Sequence, residues 1–220
     1  MIELAPEQRL ALVFGRRELR HAHASLLQFD AFLAKSVTLV REPILGQIRL
    51  GWWREQIGRL PSLMAGPDPL LAALDDMIRH HHVQRDDLIA LVNAWETMLE
   101  DPAPSGSDLI EFARARGGSV FRLASAISGT AINEATDQAG TLWALVDFAR
   151  HCADTSRAQR ALALAAGFVG VARVLPGGMR PFAILARFAE RDALRGFNLL
   201  TPPGSPRRIV QAWKFVLGLS

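Results

Sequence analysis

Apolar residues recur every three or four positions along nearly the whole chain, whereas the strict alternation of a half-buried strand is almost absent. Such a pattern buries its side chains along helix faces, so the chain is expected to be all-α. Proline-led breaks set the boundaries. At Gly66-Pro67-Asp68-Pro69 the run stops and restarts, with Asp68 placed as a cap and Pro69 in the first turn, where its missing N–H is not needed. Asp101-Pro102-Ala103-Pro104 is a second break, followed by Ser105 and Asp108 at capping-box-like spacing, and Thr201–Pro206 is a third. The periodicity predicts helices over Pro6–Arg20, His21–Val40, Glu42–Leu60, Pro69–His82, Arg85–Glu100, Leu109–Ser128, Ala135–His151, Thr155–Leu175, Arg180–Arg195 and Arg207–Leu217. Short connections favour antiparallel neighbours around one core, and residues 1–220 are read as a single domain. On the third helix Ile44, Ile48 and Trp52 share one face and are expected to be buried, as are Val120, Leu123 and Leu145.

Composition narrows the function. With 220 residues, 50% of them hydrophobic, the chain can bury a core, which excludes disorder as its main state. Cys152 is the single cysteine, so there is no internal disulfide and no multi-cysteine zinc site. Lys35 and Lys214 are the only lysines; arginine supplies the rest of the positive charge, and acids are interspersed to leave a formal +3. No basic stripe interleaved with aromatics occurs, so nucleic acid is not an expected partner. The start, MIELAPEQRL, lacks the apolar segment of a signal peptide, and the longest apolar run, Ala161 to Ala172, is too short to span a bilayer. The expected place is the cytoplasm, with peripheral contact at the inner face of a membrane.

Most candidate chemistry has a plainer reading. His80-His81-His82 points its rings in three directions and is read as a solvated helix end. The doublets Asp75-Asp76 and Asp86-Asp87 lack the acid one turn further on that a magnesium–diphosphate site requires, and the second is read as capping. Ser25, Ser119 and Cys152 have no activating motif, and there is no glycine-rich phosphate loop.

The third helix is more distinctive. In REPILGQIRLGWWREQI, Arg49 precedes Trp52 and Trp53 by one turn, with Arg54 and Glu55 next. Together with LLQFDAFLAKSVTLV before it, and with LVNAWETM, RARGGSVFRLAS and AGTLWALVDFARH after it, this segment resembles the squalene/phytoene synthase family. It is most similar to the divergent branch that includes the mitochondrial complex I assembly factor of this fold. Phe29, Arg49, Trp53, Glu96, Gly117, Gly118, Ser119, Val120, Gly140, Leu145 and Arg150 carry the resemblance, which extends from about Ser25 to His151.

The resemblance implies an isoprenoid (terpenoid) synthase-like helical bundle, here shortened, with a central cavity. Active members join two prenyl diphosphates head to head, using magnesium held by two facing aspartate-rich helices. In this chain the first aspartate motif falls on Ala34, Lys35 and Thr38, and the second on His151, Asp154 and Thr155. Phe112 stands where the family has a tyrosine, and Met98 where it has an acid. The implied cavity or diphosphate-binding residues are Arg49, Trp53, Arg54, Glu96, Phe112, Arg150 and Asp154. Asp154 has a second reading as a helix cap. Arg49 is expected beside Trp53 and near Glu96, Asp30 or Asp147. No catalytic residue, metal ligand or cofactor is expected. The implied function is that of a catalytically degenerate relative, a non-enzymatic assembly or lipid-binding factor. The alternative is a prenyl transferase condensing prenyl diphosphates, for which magnesium would be required. Expected partners are a prenyl or lipid ligand in the cavity, a respiratory complex subunit, and a membrane met through Phe168-Val169 or the tail Trp213–Leu217.

Overall fold

In the computed structural model, which describes residues 3–39, 42–61, 68–104 and 106–219, the periodicity resolves into ten α-helices and, among those residues, no strand. They are α1 (Pro6–Val13), α2 (Arg20–Thr38), α3 (Pro43–Gly58), α4 (Pro69–His80), α5 (Arg85–Glu100), α6 (Gly106–Ser128), α7 (Glu134–His151), α8 (Thr155–Ala165), α9 (Arg180–Arg195) and α10 (Pro206–Val216). Prolines stand in the first turns of α4 and α10, as the breaks predict, and also in those of α1, α3 and α9. Asp68 caps α4 by accepting the Leu70 and Leu71 N–H groups at 2.8 and 3.1 Å, and Ser205 accepts from Arg207 at the start of α10. Asp86 and Asp87 lie inside the first turn of α5, where they complement the helix dipole rather than cap it. Ser105 lies outside the described residues.

The centre is built on two glycines. α6 and α7 pack so closely that a Cβ on Gly117 would lie 2.0 Å from the Gly140 carbonyl oxygen, and one on Gly140 would lie 2.1 Å from that of Gly117. Any side chain at either position would force the helices apart. α7 is buried around most of its circumference, from Ala139 through Val146. On one side α2 and α5 pack against α6; on the other, α8 and α9 pack against α7; α1 and α10 close over α9. Val120, Leu123 and Leu145 are buried at this centre, as expected.

The third helix is turned differently from its expected orientation. Ile44, Ile48 and Trp52 are 56%, 61% and 44% exposed, while α3 buries Gly46, Leu50, Trp53 and Ile57. Both stripes satisfy a helical period; packing selects the second. Trp53 inserts between Phe29 and Phe32 of α2, with ring centroids 5.3 and 5.2 Å away, and Gly46 leaves room for Leu99 of α5.

Two predicted helices are shorter than their apolar runs. The first ends at Val13, where Arg20 satisfies the freed carbonyls: its guanidinium donates to those of Leu12 and Val13, and a 3-10 turn, Arg17–Leu19, leads into α2. The eighth ends at Ala165, beyond which Gly170 turns the chain at φ 102°. Buried Glu190 accepts the Gly170 and Ala172 N–H groups at 2.7 and 3.1 Å, replacing the lost helical bonds.

Candidate functional site

Asp30 on the inner face of α2 and Asp147 on α7 each sit one helical turn before the positions where the resemblance puts aspartate motifs. Between them, from α6, comes Arg116. Its Nε and Nη2 donate to the two Asp30 carboxylate oxygens at 3.0 and 2.7 Å, and its Nη1 lies 2.7 Å from Asp147 Oδ2. The guanidinium lies over Trp95 and Trp143, 4.5 and 4.8 Å from their ring centroids, and Trp95 Nε1 donates to Asp30 Oδ1 at 2.9 Å. The Arg116 and Asp30 side chains are 5% and 2% exposed, and Asp147 is 25% exposed. Gly117, next in the chain, holds α6 against α7, so the same close approach brings Arg116 to Asp147.

This cluster floors a cavity of about 870 Å³. Its walls come from the amino-terminal segment, α2, α5, α6, α7 and the start of α8. Ala34, Lys35 and Thr38 line one side, and His151 and Asp154 the other, so both expected motifs reach one cavity, though Thr155 does not line it. Leu4, Ala31, Met98, Phe112 and Phe148 make much of the wall apolar. Phe112 stacks edge-on against Trp95 at 5.3 Å.

The charges of this floor hold one another ionised. Burial opposes ionisation of Arg116, but Asp30 and Asp147 outweigh it and hold its pKa above the ordinary arginine value. Burial likewise acts to raise that of Asp147, but Arg116, helped by His151 and Arg150, holds it below the ordinary carboxylate value. Asp154 is held low by the Arg157 backbone N–H and guanidinium, and that N–H, at 3.0 Å, makes Asp154 the cap of α8.

Of the sequence-derived candidates, Phe112 and Asp154 line the cavity and the others do not. Arg49 is exposed and forms no ion pair among the described residues. The acids proposed for it are taken: Glu96 by Arg54, and Asp30 and Asp147 by Arg116. The cause is the position of α3, which packs outside α5 and carries Arg49, Trp53 and Arg54 away from the cavity. Arg54 and Glu96 instead bridge α3 to α5. Arg150 points towards α9, pairing with Asp192 and donating to the Thr201 carbonyl at 2.9 Å, beside an adjoining cleft of about 270 Å³ that shares Asp147 and His151 with the cavity. His80 closes α4 with its ring 2.9 Å from Asp76, in keeping with a helix end.

Sequence reasoning considered Asp30 and Asp147 only as partners for Arg49 and did not weigh Arg116 or Trp95. The sequence does carry a signal: Arg116 is a charge leading a run of small and apolar residues, RGGSV, and an acid stands one turn before each expected motif.

A divalent cation that prefers six oxygens finds a poor donor set here. Ala34 and Lys35 offer no oxygen, Asp154 serves as a cap, and both floor carboxylates are committed to a guanidinium. Among the described residues no group of three or more His, Cys, Asp or Glu side chains converges on a metal position.

A family model described as squalene/phytoene synthase matches residues 7–166, which include α2 to α7 and every cavity residue after Pro6. No curated protein and no solved structure matches the chain.

Proposed function

The chain belongs to the squalene/phytoene synthase family, and we propose that it is a catalytically degenerate member acting as a non-enzymatic assembly or lipid-binding factor. One observation carries this reading: Asp30 and Asp147, the carboxylates one turn before the two motif positions, are both bound by Arg116, a cation of the chain itself. Ionising an allylic diphosphate requires cations aimed at the departing diphosphate, and magnesium supplies that charge in active relatives. The residues present do not fit that ion, and a guanidinium saturated by two aspartates has little charge left to offer. A largely apolar cavity of about 870 Å³ suits the chain of a prenyl or other lipid molecule, within the usual ligand-site range of roughly 300–1,000 Å³. An assembly role beside a respiratory complex, with one of its subunits as partner, is the precedent offered by the divergent branch and forms part of the same proposal.

The test supplies purified protein with farnesyl or geranylgeranyl diphosphate and magnesium. The expected result is no diphosphate release and no condensed product, with a long-chain lipid detected on the protein by native mass spectrometry. Magnesium-dependent turnover by the unmodified chain would replace this reading with the prenyl transferase alternative.

A further inference from the structure

α10 is packed with an arginine and a glutamine on its inward side, beside Ala212, Phe215 and Val216. Arg208, 2% exposed, faces the interior with Gln211 and Ala212, and its guanidinium pairs with Asp192, lies 4.7 Å over the Phe188 ring and donates to the Phe188 carbonyl. The outward side carries Ile209, Val210, Trp213 and Leu217, which are 48%, 55%, 53% and 61% exposed. Val13, 63% exposed, extends this surface from the end of α1, where Phe14 meets Trp213 edge-on at 5.2 Å. The helix cannot roll to bury Trp213 without withdrawing Arg208 from the Asp192 carboxylate, so the apolar face is held outward by a buried ion pair.

The charges on α10 itself have one sign. Residues 206–219 contain no acid, and Arg207 and Lys214 are exposed on α10 itself. Arg16 and Arg17 follow Phe14 in the chain, with Glu18 3.7 Å from Arg16, and Glu7 of α1 lies on the inner side, 3.9 Å from Arg208. A single convex helix with apolar residues at its crest and cations at its margin offers a protein partner no groove and few hydrogen-bonding groups. It suits a lipid interface, where an indole and aliphatic side chains enter the acyl boundary and arginine and lysine meet anionic headgroups.

We propose that α10 and the end of α1 form a docking surface for an anionic phospholipid membrane. The surface is independent of what the cavity holds, so it stands or falls apart from the reading of the cavity. It also does not require a spanning segment: among the described residues no helix is long and apolar enough to cross a membrane. Of the two segments expected to touch a membrane, the tail takes this role; Phe168 is half-buried and Val169 is at the edge of exposure, at 36%.

The experiment is co-sedimentation of the full chain with vesicles of phosphatidylcholine and phosphatidylglycerol, with pure phosphatidylcholine vesicles beside them. Binding at low salt to the anionic vesicles, and its release by high salt, are expected. The double variant I209S/W213S should weaken partitioning about tenfold or more, since each buried aliphatic or aromatic group contributes to insertion. R207E/K214E, which leaves the apolar crest intact, should abolish the preference for anionic vesicles. I48S, on the other exposed apolar face, should bind as the parent does, and circular dichroism melting confirms that the variants are folded. No binding at low salt, equal binding to neutral vesicles, undiminished binding by folded I209S/W213S, or loss in I48S would each overturn the proposal. A protein partner rather than a membrane would appear as the first of these.

Discussion

Replacing Arg116 with methionine keeps a long side chain between Trp95 and Trp143 but removes the charge that three aspartate contacts address. Asp30, 2% exposed, then retains the Trp95 Nε1 donor, whereas Asp147, 25% exposed, can turn to water. Most of the cost therefore falls on Asp30. Stripping one partner from a buried ion pair destabilises by about 3–5 kcal/mol. In a chain of this size that corresponds to a fall in melting temperature of about 6–20 °C. Scanning calorimetry or circular dichroism melting measures it. Adding Asp30→Asn to the variant removes the stranded charge, and the double variant should recover more than half of the loss. Magnesium gives a second readout. With the guanidinium gone, Asp30 and Asp147 face one cavity unneutralised, so millimolar magnesium should raise the melting temperature of Arg116→Met and leave the parent unchanged. The reasoning fails if Arg116→Met melts with the parent, if Asp30→Asn gives no recovery, or if magnesium stabilises both proteins equally.

Gly117→Ala puts a methyl group 2.0 Å from the Gly140 carbonyl oxygen and should cost about 3 kcal/mol or more, read as a lower denaturation midpoint at unchanged m-value. Ile48→Ser, on the exposed stripe of α3, should change stability by less than about 0.5 kcal/mol, whereas Leu50→Ala two residues on should cost about 2–5 kcal/mol; equal effects would contradict the orientation of that helix. His23 is fully buried, 3.1 Å from Ser128 Oγ, and burial lowers its pKa from 6.5 to about 4. The unfolded chain therefore takes up the proton first, and stability should decline by about 3 kcal/mol as the pH falls from 6.5 to about 4, with a flatter profile in His23→Gln.

The all-α class, most helix limits and several caps were readable because each rests on contacts within one or two turns. Asp68 bonds to residues two and three ahead of it, and a proline acts on its own turn. The glycines matched to the family motifs, Gly117 and Gly140, proved to be the contact between α6 and α7. The motif positions Ala34, Lys35, Thr38, His151 and Asp154 did converge on one cavity. The third helix was less legible, since Ile44–Ile48–Trp52 and Gly46–Leu50–Trp53–Ile57 are equally periodic and only neighbours distinguish them. Glu190 shows the same limit: twenty residues from Gly170 in the chain, it ends a helix whose apolar run would continue.

Local pattern determined that this chain is helical and where the helices break, because hydrogen bonds from one turn to the next and backbone sterics depend only on near neighbours. Tertiary structure alone decided that Arg116 clamps Asp30, 86 residues away, that Arg150 turns to Asp192, 42 residues away, and that α10 keeps its arginine inside and its tryptophan outside. A guanidinium reads the same in sequence whether it serves a ligand, a neighbouring helix or solvent. Its role depends on which carboxylate the packed helices bring within about 3 Å, and on whether water can replace it there.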